Sequence, residues 1–471
     1  MVEPVNSLPD FSGSFGDSRI DKRSQEILYK LVLGRNSSIH RISDNPAQRK
    51  AFYRLLENEK FSEENIEKSI IKRCGELAEG RHVLCIQDTS EILLEPHRGR
   101  IKKGTGTGKM TIPAMLGFFV HPCFVVDAEK GTALGYSRVD VWHRDEAMPD
   151  RREREYWKLP IEEKESYRWI ETIEGSRQGL PKARQITIVA DREADIYDLF
   201  GRYASTEVKL LIRSNTNRLI NKGKEKVIEH LECQPVKHHY AISVNGDIRK
   251  GTRPRKVELE VKWAKVELCK SDSCNDKSLP AEVSLTVVEV KEKDKVDGIC
   301  WRLYTTHEVK TTEQALQIID WYTQRWYIET VFRLLKLQGF QIESSQLETG
   351  WAIRKLTMLA LLAILRIMQM LIAYDEEIEQ PIEEVFDKEE QQCLDQVSKK
   401  LAGETEKLSN PYKPQTLKWA TWIIARLGGW KGYKSQRKPG PIILQRGLTK
   451  FYQLYEGWMM AKNFYKDVGT Q

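Results

Sequence analysis

Four residues near the middle of the chain have side chains suited to one another. Tyr322, Arg325, Glu329 and Lys336 lie at offsets of 3, 7 and 14 from the first. At about 100° per residue, a helix brings all four within about 60° of one another. Their neighbours are apolar: Ile318, Ile319, Trp321, Ile328, Val331, Phe332, Leu334 and Leu335. A helix that is apolar over most of its surface is buried, so its one polar stripe must face something polar. Two readings follow. Glu329 and Arg325 satisfy each other as an i, i+4 ion pair, or the carboxylate holds a metal while the cations and the phenol hold phosphates.

Two aspartates extend the second reading. Asp88 follows the short apolar run Val83 to Ile86, and Asp191 follows Ile186 to Ala190 and opens Asp191-Arg192-Glu193-Ala194-Asp195. Taken singly, an aspartate in such a place is usually a turn or cap residue. At the end of a buried strand it is also placed to line a cleft beside a sheet. Two strand-end aspartates and a helical glutamate form the kind of cluster that phosphodiester chemistry requires. Two hard cations about 3.5–4 Å apart need several carboxylate oxygens, one ion activating the nucleophile and the other stabilising the leaving oxygen.

The elements that must position these residues are legible in outline. Up to about residue 78 the pattern is helical and basic. Asn45-Pro46 is a helix start, and Ser62 caps a second helix carrying Ile66, Ile70 and Ile71. From about residue 79, short apolar runs between polar turns indicate a mixed sheet with buried central strands. Met115 to Val126 is expected to be a strand pair turning near His121-Pro122. Residues 220–300 alternate, as in Val257-Glu258-Leu259-Glu260-Val261, and read as a charged, β-rich insert. A long helix is expected from about Thr312 to Leu337, then an apolar helix from Leu356 to Tyr374. That helix is interrupted by Arg366 and Gln369 and reads as buried rather than membrane-spanning. The acidic stretch from Asp375 to Asp395 reads as a linker. The chain is helical again from about Leu417, where Phe451, Leu454, Tyr455, Trp458 and Met459 suit either a helix–helix interface or an internal core.

Composition narrows the class. A chain of 471 residues implies two to four domains, and 40% apolar with 30% charged residues is globular rather than disordered. The net charge of +7 is modest but unevenly spread. Arg249, Lys250, Arg253, Arg255 and Lys256 form one basic cluster, and Lys431, Lys434, Arg437 and Lys438 another. Solvated faces and an anionic partner are equally compatible with each. Eight cysteines show no pairing rhythm, and Cys269 and Cys274 lack a second pair to complete a zinc site. The first residues hold no apolar signal core, so a reduced, cytoplasmic protein is expected.

With these residues in hand, the chain resembles a large group of bacterial insertion-sequence DDE transposases. Tyr322, Arg325, Glu329 and Lys336 match that group's Y-(2)-R-(3)-E-(6)-K signature. Residues 191–195 match its second-aspartate motif, and Ile86-Gln87-Asp88-Thr89-Ser90 resembles its first-aspartate strand. Ile424-Ala425-Arg426-Leu427-Gly428-Gly429 resembles a run in its C-terminal part. The resemblance implies an α/β protein, an RNase H-like catalytic core with a β-rich insert, flanked by helical N- and C-terminal domains. Residues 1–78 would bind the DNA end. Residues 79–374 would form the catalytic domain, and residues 375–471 the acidic linker and dimerisation region. It further implies that Asp88, Asp191 and Glu329 bind two Mg²⁺ or Mn²⁺ ions. Tyr322, Arg325, Lys336 and Arg333 would grip phosphates, Arg213 would contact DNA, and Trp301 would stack on a flipped base, with Trp326 as a second aromatic surface or a core residue. The implied partners are double-stranded transposon ends and target DNA, met by a homodimer. The reaction is cleavage through a hairpin followed by strand transfer. Two alternatives remain at this point: a DNA-binding regulatory or inhibitory derivative, and a nuclease with the same core that only hydrolyses.

Overall fold

The structure is a computed structural model that describes residues 8–34, 36–145, 158–244, 253–293, 295, 298–375, 379–401, 409–433 and 436–468. Residues 1–7, and Arg249, Lys250 and Lys434 of the basic clusters, lie outside the described residues.

Helix starts in the first region follow local chemistry. After α1 (Ser18–Gly34) and the short α2 (Ile39–Ile42), Asn45 caps α3 (Pro46–Glu57) by accepting the Gln48 amide. Ser62 caps α4 (Glu63–Leu77) by accepting the Asn65 amide. Each oxygen satisfies a helix N–H that has no intrahelical partner. The buried faces of these helices, including Leu28, Phe52, Leu56, Ile66 and Ile70, belong to the main core.

The sheet begins with β1 (His82–Gln87), β2 (Ser90–Leu93), β3 (Gly108–Lys109), β4 (Leu116–Asp127) and β5 (Ala133–Trp142). After α5 (Tyr167–Gly179) come β6 (Gln185–Ala190), α6 (Tyr197–Tyr203) and β7 (Lys209–Arg213). Across this part the order is β5-β4-β1-β6-β7. β4 is antiparallel to β1, β5 antiparallel to β4, and β6 and β7 continue parallel to β1. Every residue of β1 is buried, because helices cover both faces. Leu84 and Ile86 point into one hydrophobic cluster, Val83 and Cys85 into the other.

The expected strand pair from Met115 to Val126 is instead the single strand β4, and His121-Pro122 lies within it rather than at a turn. β2 pairs with β4 up to Val120 and β1 pairs from Cys123 onward. Pro122 falls between the two pairings, where a missing N–H costs no ladder bond on that side.

The β-rich region continues the same sheet. It contains β8 (Leu219–Ile220), β9 (Glu225–Lys226), α7 (Val227–Glu232), β10 (His238–Val244), β11 (Arg255–Cys269), β12 (Glu282–Glu292) and β13 (Cys300–Thr305). β13 pairs antiparallel with β7, and β12, β11 and β10 follow outward.

The remainder is helical: α8 (Thr312–Thr323), α9 (Trp326–Arg333), α10 (Gly350–Asp375), α11 (Lys388–Leu401), α12 (Leu417–Leu427) and α13 (Pro441–Val468). The long helix expected over Thr312 to Leu337 is therefore broken. At the junction the chain tightens to i→i−3 bonds, Arg325 N–H to Tyr322 O and Ile328 N–H to Arg325 O. Beyond α9 it widens into a π-turn over Leu334–Gln338. α10 is long and apolar enough to cross a membrane, yet it is 94% buried inside the protein. It packs against α1, α3, α4, α12, α13 and β5. The acidic stretch is more than a connector. Ile382, Val385 and Phe386 are buried, and Glu390 forms a buried ion pair with Arg366 of α10, 2.9 Å apart. The C-terminal apolar positions are divided: Phe451 is buried, whereas Leu454 is exposed.

Candidate active site

The register of the two central strands brings the aspartates together. β1 and β6 run parallel with Ile86 opposite Val189. Continued by two residues, that register sets Asp88 beside Asp191, at the carboxyl ends of neighbouring parallel strands where α/β sheets open into a crevice. Glu329 arrives from α9 through Arg325. The Arg325 guanidinium donates from Nη1 to Asp88 Oδ2 at 3.0 Å and from Nη2 to Glu329 Oε1 at 3.2 Å. The internal Arg325–Glu329 pair thus exists, but it is half of a bridge to the first strand.

The charges are out of balance. Burial pushes the Asp88 carboxyl up to about 7, and Asp191 and then Glu329 push it the same way, against the Thr89 amide and Arg325. The donor set, three hard carboxylates, suits a hard divalent cation, and the carboxylate excess is what such a cation relieves. Among the described residues no three His, Cys, Asp or Glu side chains already form a metal-ligand cluster. Arg325 stands between the acids as their counter-ion.

The other expected residues distribute around this centre. Tyr322, at the end of α8, is buried, and among the described residues its hydroxyl has no hydrogen-bond partner of good geometry. An orphaned buried hydroxyl beside a charged crevice is a group waiting for a ligand or water. Burial raises its pKa, while the nearby Arg325 and Arg213 lower it. Trp301 of β13 presents its ring to Tyr322, centroids 5.4 Å apart and nearly perpendicular. Arg213 ends β7, and its Nη2 donates to the Cys300 carbonyl at 3.3 Å. Lys336, in the π-turn, places Nζ 3.5 Å from Ser90 Oγ and 3.6 Å from Glu343 Oε1. Trp326 is 56% exposed, so it is not a core tryptophan; the Arg325 guanidinium carbon lies 5.5 Å from its ring centre. Arg333 is exposed on α9, and among the described residues no ion pair or side-chain hydrogen bond joins it to the other site residues.

A supporting layer went unread in the sequence. Thr89 Oγ1 is bonded to His121 Nδ1 at 2.8 Å, and Arg168 Nε donates to the same oxygen at 2.9 Å. Arg168 also pairs with Glu193, two residues after Asp191, at 2.7 Å. Burial, with the charges of Arg168 and Arg138, holds His121 well below the usual histidine range, so it serves as a neutral hydrogen-bonding strut. Arg168 and His121 carry no spacing relation to the aspartates along the chain, so no local signal could have found them.

In the N-terminal helical region, a groove of about 580 Å³ between α1 and α3 is lined by Arg19, Arg23, Lys50 and Arg54 together with Asp17. It is a second basic surface, remote in sequence from the carboxylates.

Comparison with known families meets both surfaces. Residues 12–61 match the family described as Transposase DNA-binding, a range that contains α3 and the groove-lining residues just named. Residues 166–366 match the Transposase DDE domain. That range contains Asp191, Tyr322, Arg325, Glu329 and Lys336; Asp88 lies upstream of it and is joined to them by the pairing of β1 with β6. A DNA-binding match followed by a DDE-domain match, in a mixed α/β chain with a large central sheet, supports a DDE transposase acting on DNA.

Proposed function

We propose that the protein is a cut-and-paste transposase of the hairpin-forming group with the Y-(2)-R-(3)-E-(6)-K signature. Its catalytic unit is RNase H-like, spanning residues 79–374 with the β-rich insert between Asp191 and Glu329. What supports this is the strand order β5-β4-β1-β6-β7, with the first two antiparallel to their inner neighbours and the last two parallel to β1. Residues 1–78 bind the transposon end, and residues 375–471 bring two subunits together on the paired ends.

Asp88, Asp191 and Glu329 would hold two Mg²⁺ or Mn²⁺ ions. Bound there, the ions supply an activated nucleophile and charge stabilisation at the leaving oxygen. The chain's own residues do the rest. Arg325 balances the carboxylates and offers a planar fork to the phosphate. The Tyr322 hydroxyl and Lys336 hold neighbouring phosphate oxygens, and Arg213 and Arg333 extend the grip along the strand. Trp301 and the exposed Trp326 offer aromatic faces to a base drawn out of the helix, which relieves strain in a tight hairpin. Water cuts one strand, and the 3′-hydroxyl left behind attacks the opposite strand to close the hairpin. A second water reopens it, and the same hydroxyl attacks target DNA.

The observation that carries this reading is the convergence of Asp88, Asp191 and Glu329 around one arginine. The test is Glu329→Ala, incubated with Mg²⁺ and DNA bearing the inverted-repeat ends. Hairpin and nicked products are expected to disappear while retention of end DNA in a gel stays near wild type. Continued nicking by this variant would remove Glu329 from the site.

A further inference from the structure

Beyond the carboxyl end of β7 lies a cleft of about 180 Å³, of whose lining the proposed mechanism uses only Arg213. Arg192, Arg213, Arg302, Ser214, Asn215 and Asn217 contribute to its lining, and no acidic side chain does. The loop that forms its floor is held from below. The Asp195 carboxylate, its side chain fully buried, accepts the Asn215 amide at 2.7 Å and the Thr216 amide at 3.3 Å, and pairs with Arg218 Nε at 2.7 Å. Arg302 is anchored by its Nε to Glu289 at 2.7 Å. Among the described residues neither Arg192 nor Arg213 has a carboxylate partner. A concave site with three guanidinium groups, two of them without a carboxylate partner among the described residues, suits an anion with several oxygens.

Its position says which anion. Arg192 directly follows Asp191, and the charge of Arg213 is felt at Tyr322. Cys300 and Arg302 flank Trp301 on β13, and alternation along a strand turns them to the face opposite the tryptophan ring. The cleft therefore adjoins the carboxylates across the sheet edge from Trp301. We infer that it seats a phosphodiester group of a DNA strand running over the carboxyl ends of β6 and β7, with Arg192, Arg213 and Arg302 as its positioning cations. The inference rests on the proposed transposase reading, and it assigns Arg192 and Arg302 a task that the catalytic signature does not contain.

The strand belongs to the element's own end, to the DNA flanking it, or to the target, and one experiment separates these. Cys300 lines the cleft and is partly exposed, so its alkylation by iodoacetamide reports occupancy. The exposed Cys233 serves as internal reference in the same mass spectrum. The full chain, without divalent metal, is alkylated alone, with a pre-cut end duplex, with the same end extended into flanking sequence, and with the pre-cut end plus an unrelated duplex. Slowing of Cys300 by severalfold relative to Cys233 is expected in at least one DNA arm, and the first arm to show it names the source. In parallel, Arg192→Ala, an exposed and unpaired position that leaves the fold intact, is expected to lower the salt slope of binding in that arm by about one phosphate contact. Unchanged Cys300 reactivity in every arm, with the DNA demonstrably bound and the Arg192→Ala slope equal to wild type, would overturn the inference. Because no metal is present, these readouts stand or fall independently of whether Glu329→Ala abolishes cleavage.

Discussion

Asp88 sits where burial and two neighbouring carboxylates all disfavour its charge, with a pKa near 7 as the result. The stability consequence has a definite sign. A folded-state pKa above the unfolded value near 3.9 means that folding favours the protonated form. This contribution is complete below about pH 4 and is lost as pH rises through 7. Asp88→Asn removes the cost, so the metal-free variant is expected to melt above wild type at pH 8, by on the order of 1–3 kcal/mol of stability, with a smaller gain at pH 5. Thermal melts at the two pH values check it; equal melting of variant and wild type at pH 8 would count against an electrostatically strained site. The same strain explains the place of Arg325. Asp88 and Glu329 are both tied to it, and among the described residues no other cation bonds to the two of them.

At the scale of elements, the site depends on interruptions as much as on regular structure. The i→i−3 turns between α8 and α9 and the π-turn at Leu334–Gln338 separate Tyr322, Arg325, Glu329 and Lys336 among four successive segments. An ideal helix would have lined them up as one stripe. Such departures from 3.6-residue geometry concentrate at functional sites. A different element-level device fastens the C-terminal helices. Arg366 of α10 pairs with Glu390 of α11, and Tyr452 of α13 donates to Glu390 at 2.8 Å; all three are buried. Removing one partner of a buried pair strands the other's charge. Glu390→Ala is therefore expected to cost about 3–5 kcal/mol. Tyr452→Phe, which deletes only a hydroxyl, costs about 1 kcal/mol. Denaturant unfolding of the two variants orders them, and a neutral Glu390→Ala would show that α11 is not locked onto the core.

Across the whole molecule, one sheet divides two hydrophobic clusters, and the larger one draws on α1, α3 and α4 as well as on α10 to α13. The first and last parts of the chain thus fold against the same helix. Under the opposite end of the sheet from the carboxylates, buried His82 and Thr187 and half-buried His307 form a chain through the threonine hydroxyl, with 2.8 Å contacts to both rings. Burial lowers both histidines, His307 to about 3, with His82 and Lys209 adding to that shift. Here the sign is opposite to that of Asp88. A histidine held neutral contributes fully above its unfolded pKa near 6.5, and this is lost as pH falls from there toward 3. The histidine contribution therefore climbs between pH 4 and 6.5, opposing that of Asp88, and His307→Gln should make the metal-free stability profile of the variant less rising than that of wild type over that range, by on the order of 1–3 kcal/mol. A melting profile over that range with an unaltered slope in the variant would remove His307 as its source.

Local chemistry in the chain was enough to locate the helix starts at Asn45 and Ser62, the strands that end at Asp88 and Asp191, the alternating β-rich region and the buried character of α10. It also marked Tyr322, Arg325, Glu329 and Lys336 as a candidate polar stripe, because residue type and short spacing are properties of neighbours. What depended on distant partners was illegible. Pro122 lies mid-strand only because two different strands cover β4 on either side of it. The acidic stretch is packed only because Arg366 waits in the core. Arg168 and His121 meet Thr89 only through the sheet and α5. That Asp88 lies beside Asp191 follows from a strand register, and that Glu329 faces them follows from one guanidinium reaching across the crevice. Both are long-range contacts whose geometry exists only once the sheet has formed.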